Sequence, residues 1–170
     1  MQLKETKEAL NKFGKYVVQQ ARTNLTKKKM NVSKDLYNSL SYELQEVEGN
    51  LILSIGMDEY GKYQDKGVSG TKKKYNTPYK YTNKMPPTKA FSQWVVRKGL
   101  EGTRDKKTGR FLSRKSLQYA VAKNIFKYGI KPTMFFTKPF NAAFKRLPDD
   151  LQNAFADDLD NSIIIPNNNK

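Results

Sequence analysis

Leu40-Ser41-Tyr42-Glu43-Leu44-Gln45-Glu46-Val47-Glu48-Gly49-Asn50-Leu51-Ile52-Leu53-Ser54-Ile55 is the stretch on which the fold turns. Leu40, Tyr42 and Leu44 alternate with polar residues, Glu48-Gly49-Asn50 carries turn chemistry, and Leu51, Leu53 and Ile55 resume the alternation. A period of two places these side chains on one face of an extended chain, so the stretch is predicted as a β-hairpin with one covered side.

Upstream the period changes. Leu10, Phe13, Val17, Ala21 and Leu25 fall at i, i+3, i+7, i+11 and i+15, the apolar stripe of a helix from about Leu3 to about Asn24. Lys27-Lys28-Lys29 follows, where cations suit the negative end of the helix dipole. Ser33 can cap a short turn running to Leu40, helical or extended.

Downstream, Asp58 to Lys66 reads as a short helix closed by Gly67. Val68 to Pro87 has no apolar period and reads as a long loop. Thr88 is placed as the cap of a helix with a core stripe of Phe91, Trp94 and Val95 and a stop at Gly99. Glu101 to Arg114, with Gly102 and Gly109, reads as a second arm. Leu117, Val121, Ile125 and Tyr128 mark a third helix, stopped by Gly129. Ala120, Ala122 and Phe126 make it apolar on more than one side, so it is expected to be the most buried. Pro139 suits the first turn of a helix through Phe140, Ala143, Phe144 and Leu147, and Pro148 restarts the pattern with Leu151, Phe155 and Leu159. Ile163 to Pro166 is a strand candidate. Phe13, Leu53, Trp94, Val121, Ile125 and Phe135 are expected in the core.

The predicted class is α+β: an amphipathic amino-terminal helix and a small antiparallel sheet packed by two or three further helices, with long basic loops. A chain of 170 residues suits one domain, here residues 1–166 with basic insertions at about 68–87 and 101–114, followed by a frayed tail at 167–170. No window approaches the apolar length of a membrane span and the amino terminus has no apolar signal core, so no membrane partner and an aqueous setting are expected.

The absence of cysteine removes disulfides and thiolate chemistry. The absence of histidine removes the usual general base near neutral pH and the commonest metal ligand. The sequence also has no phosphate-binding glycine loop, nucleophile elbow or calcium loop. The acidic pairs Asp58/Glu59, Asp149/Asp150 and Asp157/Asp158 are adjacent, and neighbours on a helix point apart, so they read as solvated faces. No catalytic residue, metal site or cofactor is expected, and the chain is not expected to be an enzyme.

Charge carries more information. Thirty-two Lys and Arg face sixteen Asp and Glu. Between Lys62 and Lys131 lie nineteen basic residues and three acidic ones, so the middle of the chain holds the whole excess of sixteen. Asp149 to Asp160 runs the other way, with five Asp and no basic residue. Such a chain can meet a copy of itself head to tail, or face a polyanion. Lys72, Lys73 and Lys74 with Tyr75, Tyr79 and Tyr81 combine phosphate-neutralising charge with stackable rings. The same residues suit a loop ordered by a neighbouring subunit, its tyrosines anchoring an interface. Arg104, Lys106, Lys107, Arg110, Arg114 and Lys115 have Phe111 as their one aromatic companion and no base-reading module around them. Any nucleic-acid contact there is expected to be non-specific and salt-dependent.

The order of elements, with Tyr60, Tyr63 and Gly67 after the hairpin and Pro132, Phe135 and Phe136 before the last helices, resembles the neck or tail-completion proteins of tailed bacteriophages, also called head–tail joining or minor tail proteins. The resemblance spans most of the chain through short, degenerate motifs. The chain departs from it by the long basic insertion between Gly67 and Thr88 and by the second basic loop around Arg104. The resemblance implies a virion subunit made in the host cytoplasm. It would form a homo-oligomeric ring at the neck, joining portal or connector to tail proteins around the packaged DNA. A non-specific nucleic-acid-binding protein is the alternative.

Overall fold

The computed structural model describes residues 3–30 and 33–163. Beyond Ile163, the expected strand at 163–166 and the tail lie outside the described residues. The elements run α1 (Lys4–Lys27), α2 (Asp35–Ser39), β1 (Ser41–Val47), β2 (Asn50–Gly56), α3 (Tyr60–Lys66), a 3₁₀ turn (Thr88–Phe91), α4 (Ser92–Arg97), α5 (Arg114–Tyr128), α6 (Thr137–Phe144) and α7 (Leu147–Ser162). The class is α+β, with one two-stranded sheet among the described residues. The chain gathers into two compact units, Met1–Asn24 with Leu40–Met57 and Phe135–Lys170, and Leu25–Ser39 with Asp58–Met134.

In the first unit β1 and β2 pair antiparallel, with Tyr42 opposite Ile55, Leu44 opposite Leu53 and Val47 opposite Asn50. The last pair leaves Glu48 and Gly49 as a two-residue turn, at φ +50° and +79°. Two consecutive positive φ angles match the right-handed twist of the strands. The covered face holds Tyr42, Leu44, Leu51, Leu53 and Ile55, all half-buried. Helix α1 meets this face at Gly14, where an added Cβ would lie 2.6 Å from Cδ2 of Tyr42. Its stripe buries Val17 and Ala21 completely and leaves Leu10 and Phe13 half-buried. Phe135, Ala143, Leu147 and Ala154 complete this core. Phe136, at the N-terminal boundary of α6, stacks on Phe140 and Phe140 on Phe144 at fourfold spacing, with centroids 5.6 Å apart in each pair, and Phe13 meets Phe140 edge-on at 5.7 Å.

The second unit is built on Leu25, Val68, Val95, Leu117 and Ala122. The structure corrects several sequence expectations. Trp94 is 38% exposed: α4 is only six residues long and buries Val95 instead. Helix α5 is not the most buried helix. It buries Leu117, Gln118 and Ala122 but leaves Val121 and Ile125 half-buried and Ala120 exposed, whereas α1 buries a longer stripe. Of the six expected core residues, Phe135 is fully buried and Phe13, Leu53, Val121 and Ile125 are half-buried. Thr88 does not cap a helix; it is the first residue of the 3₁₀ turn, whose N-terminal boundary is Pro87, with no side-chain cap. Ser33 lies ahead of a helical turn, not an extended one.

The segment after Gly67 is ordered from within, contrary to what its lack of apolar period predicts. Val68, Ser69 and Gly70 are buried against the end of α5. The Val68 and Ile130 amides each donate to the other's carbonyl, at 2.9 and 2.8 Å, and the amides of Thr71 and Lys72 donate to the carbonyls of Phe126 and Lys127. Backbone pairing here takes the place that apolar burial holds in a helix, and three glycines let it happen. An added Cβ at Gly129 would overlap the Val68 oxygen, and one at Gly70 the Lys127 oxygen. One at Gly67 would lie 2.7 Å from the Pro132 ring.

Candidate interaction surfaces

Ser69 organises the first basic loop. Its amide donates to the Tyr79 carbonyl at 2.8 Å and its carbonyl accepts from the Tyr81 amide at 2.9 Å. Its hydroxyl accepts from the Tyr75 amide at 3.0 Å and donates to the Tyr75 carbonyl at 3.2 Å. The chain therefore folds back on itself and lifts Lys72, Lys73 and Lys74 into solvent as an exposed crest. Lys73 lies over the Tyr75 ring, 5.5 Å from its centroid, and Lys74 donates to the Gly70 carbonyl.

The tyrosines of the loop turn inward. Tyr63 and Tyr79 meet edge-on at 4.8 Å. With Tyr60, Tyr81, Val68, Pro78, Lys80 and Ile130 they line a cleft of about 520 Å³. Desolvation raises the Tyr60 and Tyr81 hydroxyls above their ordinary pKa, although about half of Tyr60 stays exposed. Tyr79 and Tyr81 thus belong to the loop's own packing, separate from the lysine crest.

The two motif segments behind the phage resemblance meet inside this unit. The last carbonyls of α3 have no partner within the helix. The Thr133 amide and hydroxyl donate to the Gln64 carbonyl, and the Met134 amide donates to the Asp65 carbonyl. The segment beginning at Pro132 therefore caps the helix that carries Tyr60 and Tyr63. Phe135 and Phe136 belong to the first unit, where Phe135 is fully buried and its carbonyl accepts from the Asn24 side chain at 3.0 Å.

The second basic segment is a small closed hairpin. Arg104 and Phe111 bridge, the Asp105 amide donates to the Arg110 carbonyl, and the Arg104 guanidinium stacks 4.3 Å from the Phe111 centroid. Asp105 turns the chain by accepting from the Thr108 amide, the Thr108 hydroxyl and the Lys107 amide, which hold its carboxyl below the ordinary range. Arg114 pairs with Glu101 at 2.6 Å, and Ser113 caps α5 by accepting from the Ser116 amide. Arg104, Lys106, Lys107, Arg110, Arg114 and Lys115 are all exposed.

Charge follows the two units. The second contains twenty-three basic and six acidic residues; the first contains nine and ten. Half of the first unit's acidic residues lie on α7, where Asp149, Asp150, Asp157 and Asp160 are exposed beside the half-exposed Phe155 and Leu159. Asp158 is a correction: it is 2% exposed, not part of a solvated face. It accepts from the amides of Glu5 and Thr6 and from the Thr6 hydroxyl, capping α1 from outside that helix.

A second group of cations escaped the sequence reading. Lys28, Lys29, Lys34 and Lys98 line a cleft of about 550 Å³ together with Tyr37, Tyr60 and Trp94. The clue was present in two fourfold spacings, Tyr60 with Gln64 and Trp94 with Lys98, each placing two side chains on one helical face.

Among the described residues, no group of three carboxylates could hold a metal ion, and no helix is long and apolar enough to cross a membrane. Comparison with protein-family models, with curated proteins and with solved structures gave no match.

Proposed function

We propose that this chain is a structural subunit of a tailed-phage particle. It would form a ring at the neck or head–tail junction and join portal or connector to tail proteins around the DNA path. It works through binding surfaces, without turnover. The observation that carries this reading is the division of charge between the two compact units: an excess of seventeen positive charges on one, and an acidic, partly apolar helix exposed on the other. Different, complementary patches on one chain favour heterologous contacts between copies, and such contacts generate rings when the rotation closes.

Native mass spectrometry and negative-stain imaging of the purified chain, alone and with portal or tail proteins, test the reading. Rings, or a defined multimer that falls apart as salt is raised, are expected. A chain that stays monomeric under all of these conditions would overturn it. A second reading, non-specific nucleic-acid binding by a monomer, is favoured by the exposed lysine crest beside Tyr75. It predicts monomers whose affinity for DNA falls steeply with salt whatever the sequence.

A further inference from the structure

The cleft lined by Lys28, Lys29, Lys34 and Lys98 lies apart from both basic loops in sequence and is built from three pieces of the second unit. Helix α3 supplies Tyr60 and Gln64, whose side-chain amide donates to the Tyr60 hydroxyl. Helix α4 supplies Trp94, and Lys98 follows one turn later on the same face. The segment after α1 supplies Lys28, Lys29, Met30, Ser33, Lys34, Asp35, Leu36 and Tyr37.

Three features set this cleft apart from an ordinary solvated face. Trp94 and Tyr60 are large aromatic residues left 38% and 53% exposed in the cleft lining, so part of each is within reach of a ligand. Lys29 and Lys34 both sit at positive φ, +53° and +61°: Lys29 closes α1, its amide and that of Met30 returning to the Thr26 and Leu25 carbonyls, and the Lys34 carbonyl accepts from Asn38 at the start of α2. These hydrogen-bonded turns fix where the two lysine side chains leave the backbone. Four ammonium groups face only two carboxylates, Asp35 and Asp58, in the lining. Lys28 uses one of its donors on the Thr133 carbonyl and keeps two for a ligand.

We propose that this cleft binds an unpaired nucleotide of a single-stranded nucleic acid, with a base against Trp94 and Tyr60 and the flanking phosphates on Lys29, Lys34 and Lys98. A volume of about 550 Å³ lies in the range of pockets that take small ligands. Rings supply stacking that every base can use, and lysines supply phosphate neutralisation without sequence readout. Paired bases present no free face to the rings, so duplex binds the cleft more weakly. The site operates whether or not the chain assembles into rings.

The chain has one tryptophan, and it lies in this cleft, so its fluorescence reports occupancy directly. The test titrates the full chain with a short oligothymidylate at low salt, with the matching duplex and a polyglutamate peptide as competitors. Saturable quenching by the single strand is expected, at least tenfold weaker with duplex. Lys29→Glu with Lys98→Glu should weaken it at least tenfold while leaving the circular dichroism and melting temperature unchanged. Replacing Lys72, Lys73 and Lys74 by Ala should leave the quenching in place, because those residues do not line the cleft. Should the Lys29/Lys98 variant unfold, Tyr60→Ala is the second variant, expected to weaken quenching without changing net charge. Absent quenching, equal quenching by polyglutamate, or quenching abolished with the crest lysines but kept in the cleft variants would each overturn the proposal.

Discussion

Asp158, near the end of α7, accepts hydrogen bonds from both the amide and the hydroxyl of Thr6, at 2.9 and 2.8 Å, and so closes the amino terminus of α1 with a side chain from the far end of the chain. The first turn of a helix has unpaired amides and a positive dipole end, and a carboxylate answers both. Ordinarily the cap comes from the residue just ahead of the helix. Here tertiary structure supplies it.

Burial alone would raise the Asp158 carboxyl, but the Thr6 and Glu5 amides and the Thr6 hydroxyl outweigh it and hold the pKa below the ordinary aspartate value. A group whose folded pKa is depressed stabilises the fold above its unfolded pKa, and that contribution fades as pH falls through the folded value. The wild-type chain should therefore lose stability as pH falls below about 4. Asp158→Asn should lower the melting temperature at neutral pH and flatten this acid limb. Thermal melts between neutral and acid pH compare the two slopes; parallel curves would show that Asp158 is not the titrating cap.

At Gly129 the backbone allows no side chain. Its φ is +71°, and a Cβ would overlap the Val68 oxygen and fall 2.6 Å from the Gly70 nitrogen. Gly129→Ala combines left-handed strain of about 1–2 kcal/mol with overpacking of about 1–3 kcal/mol. Gly49→Ala has the same sign of φ but nothing within 4 Å, so it should show only the conformational part. Urea unfolding of the two variants should rank Gly129→Ala as clearly the more destabilised.

Ser69→Ala removes both hydroxyl hydrogen bonds to Tyr75 from a residue that is 4% exposed, and leaves the Tyr75 amide and carbonyl without that partner. A destabilisation of about 1–3 kcal/mol is expected. The larger effect should be local. Trypsin should cut at Lys72 to Lys74 faster in the variant than in the wild type, with the cleavage pattern elsewhere unchanged.

The legible parts of the sequence were those where one period ran long enough to be counted. The stripe from Leu10 to Leu25 and the alternation from Leu40 to Ile55 gave a helix and a hairpin that the structure contains, and Gly67 and Gly129 marked helix ends. What stayed hidden was order made by backbone pairing at long range. Ser69 and Gly70 lie far from Gly129 in sequence, and no periodicity reveals their contact. Trp94 misled because it shares an apolar stripe with Phe91 and Val95, yet a six-residue helix can bury only one narrow side. Asp158 misled because an acidic run looks solvated when its partner lies at the other end of the chain.

The lysine crest decides between a protein neighbour and DNA, and its geometry makes the experiment clean. The amides of Lys72 and Lys73 bond to the Lys127 carbonyl, and the loop hangs on Ser69, so replacing all three lysines by alanine removes charge while keeping the backbone pairing. The same change also removes the hydrogen bond that Lys74 donates to the Gly70 carbonyl. If the crest meets the acidic α7 face of a neighbouring copy, the triple variant should fail to form rings at wild-type concentrations while its DNA affinity holds. A charge swap should then restore assembly: Lys72, Lys73 and Lys74 to Glu, combined with Asp149→Lys and Asp150→Lys. Both aspartates are exposed and distinct from the buried Asp158, so the swap leaves the α1 cap intact. If the crest meets DNA, the triple variant should assemble normally. It should bind all sequences more weakly by a similar factor, with the salt slope reduced by about one unit for each phosphate no longer neutralised. We expect the first result, because four exposed carboxylates on a partly apolar helix offer the crest a partner within the chain's own repertoire. A triple variant unchanged in both assembly and DNA affinity would remove the crest from either role.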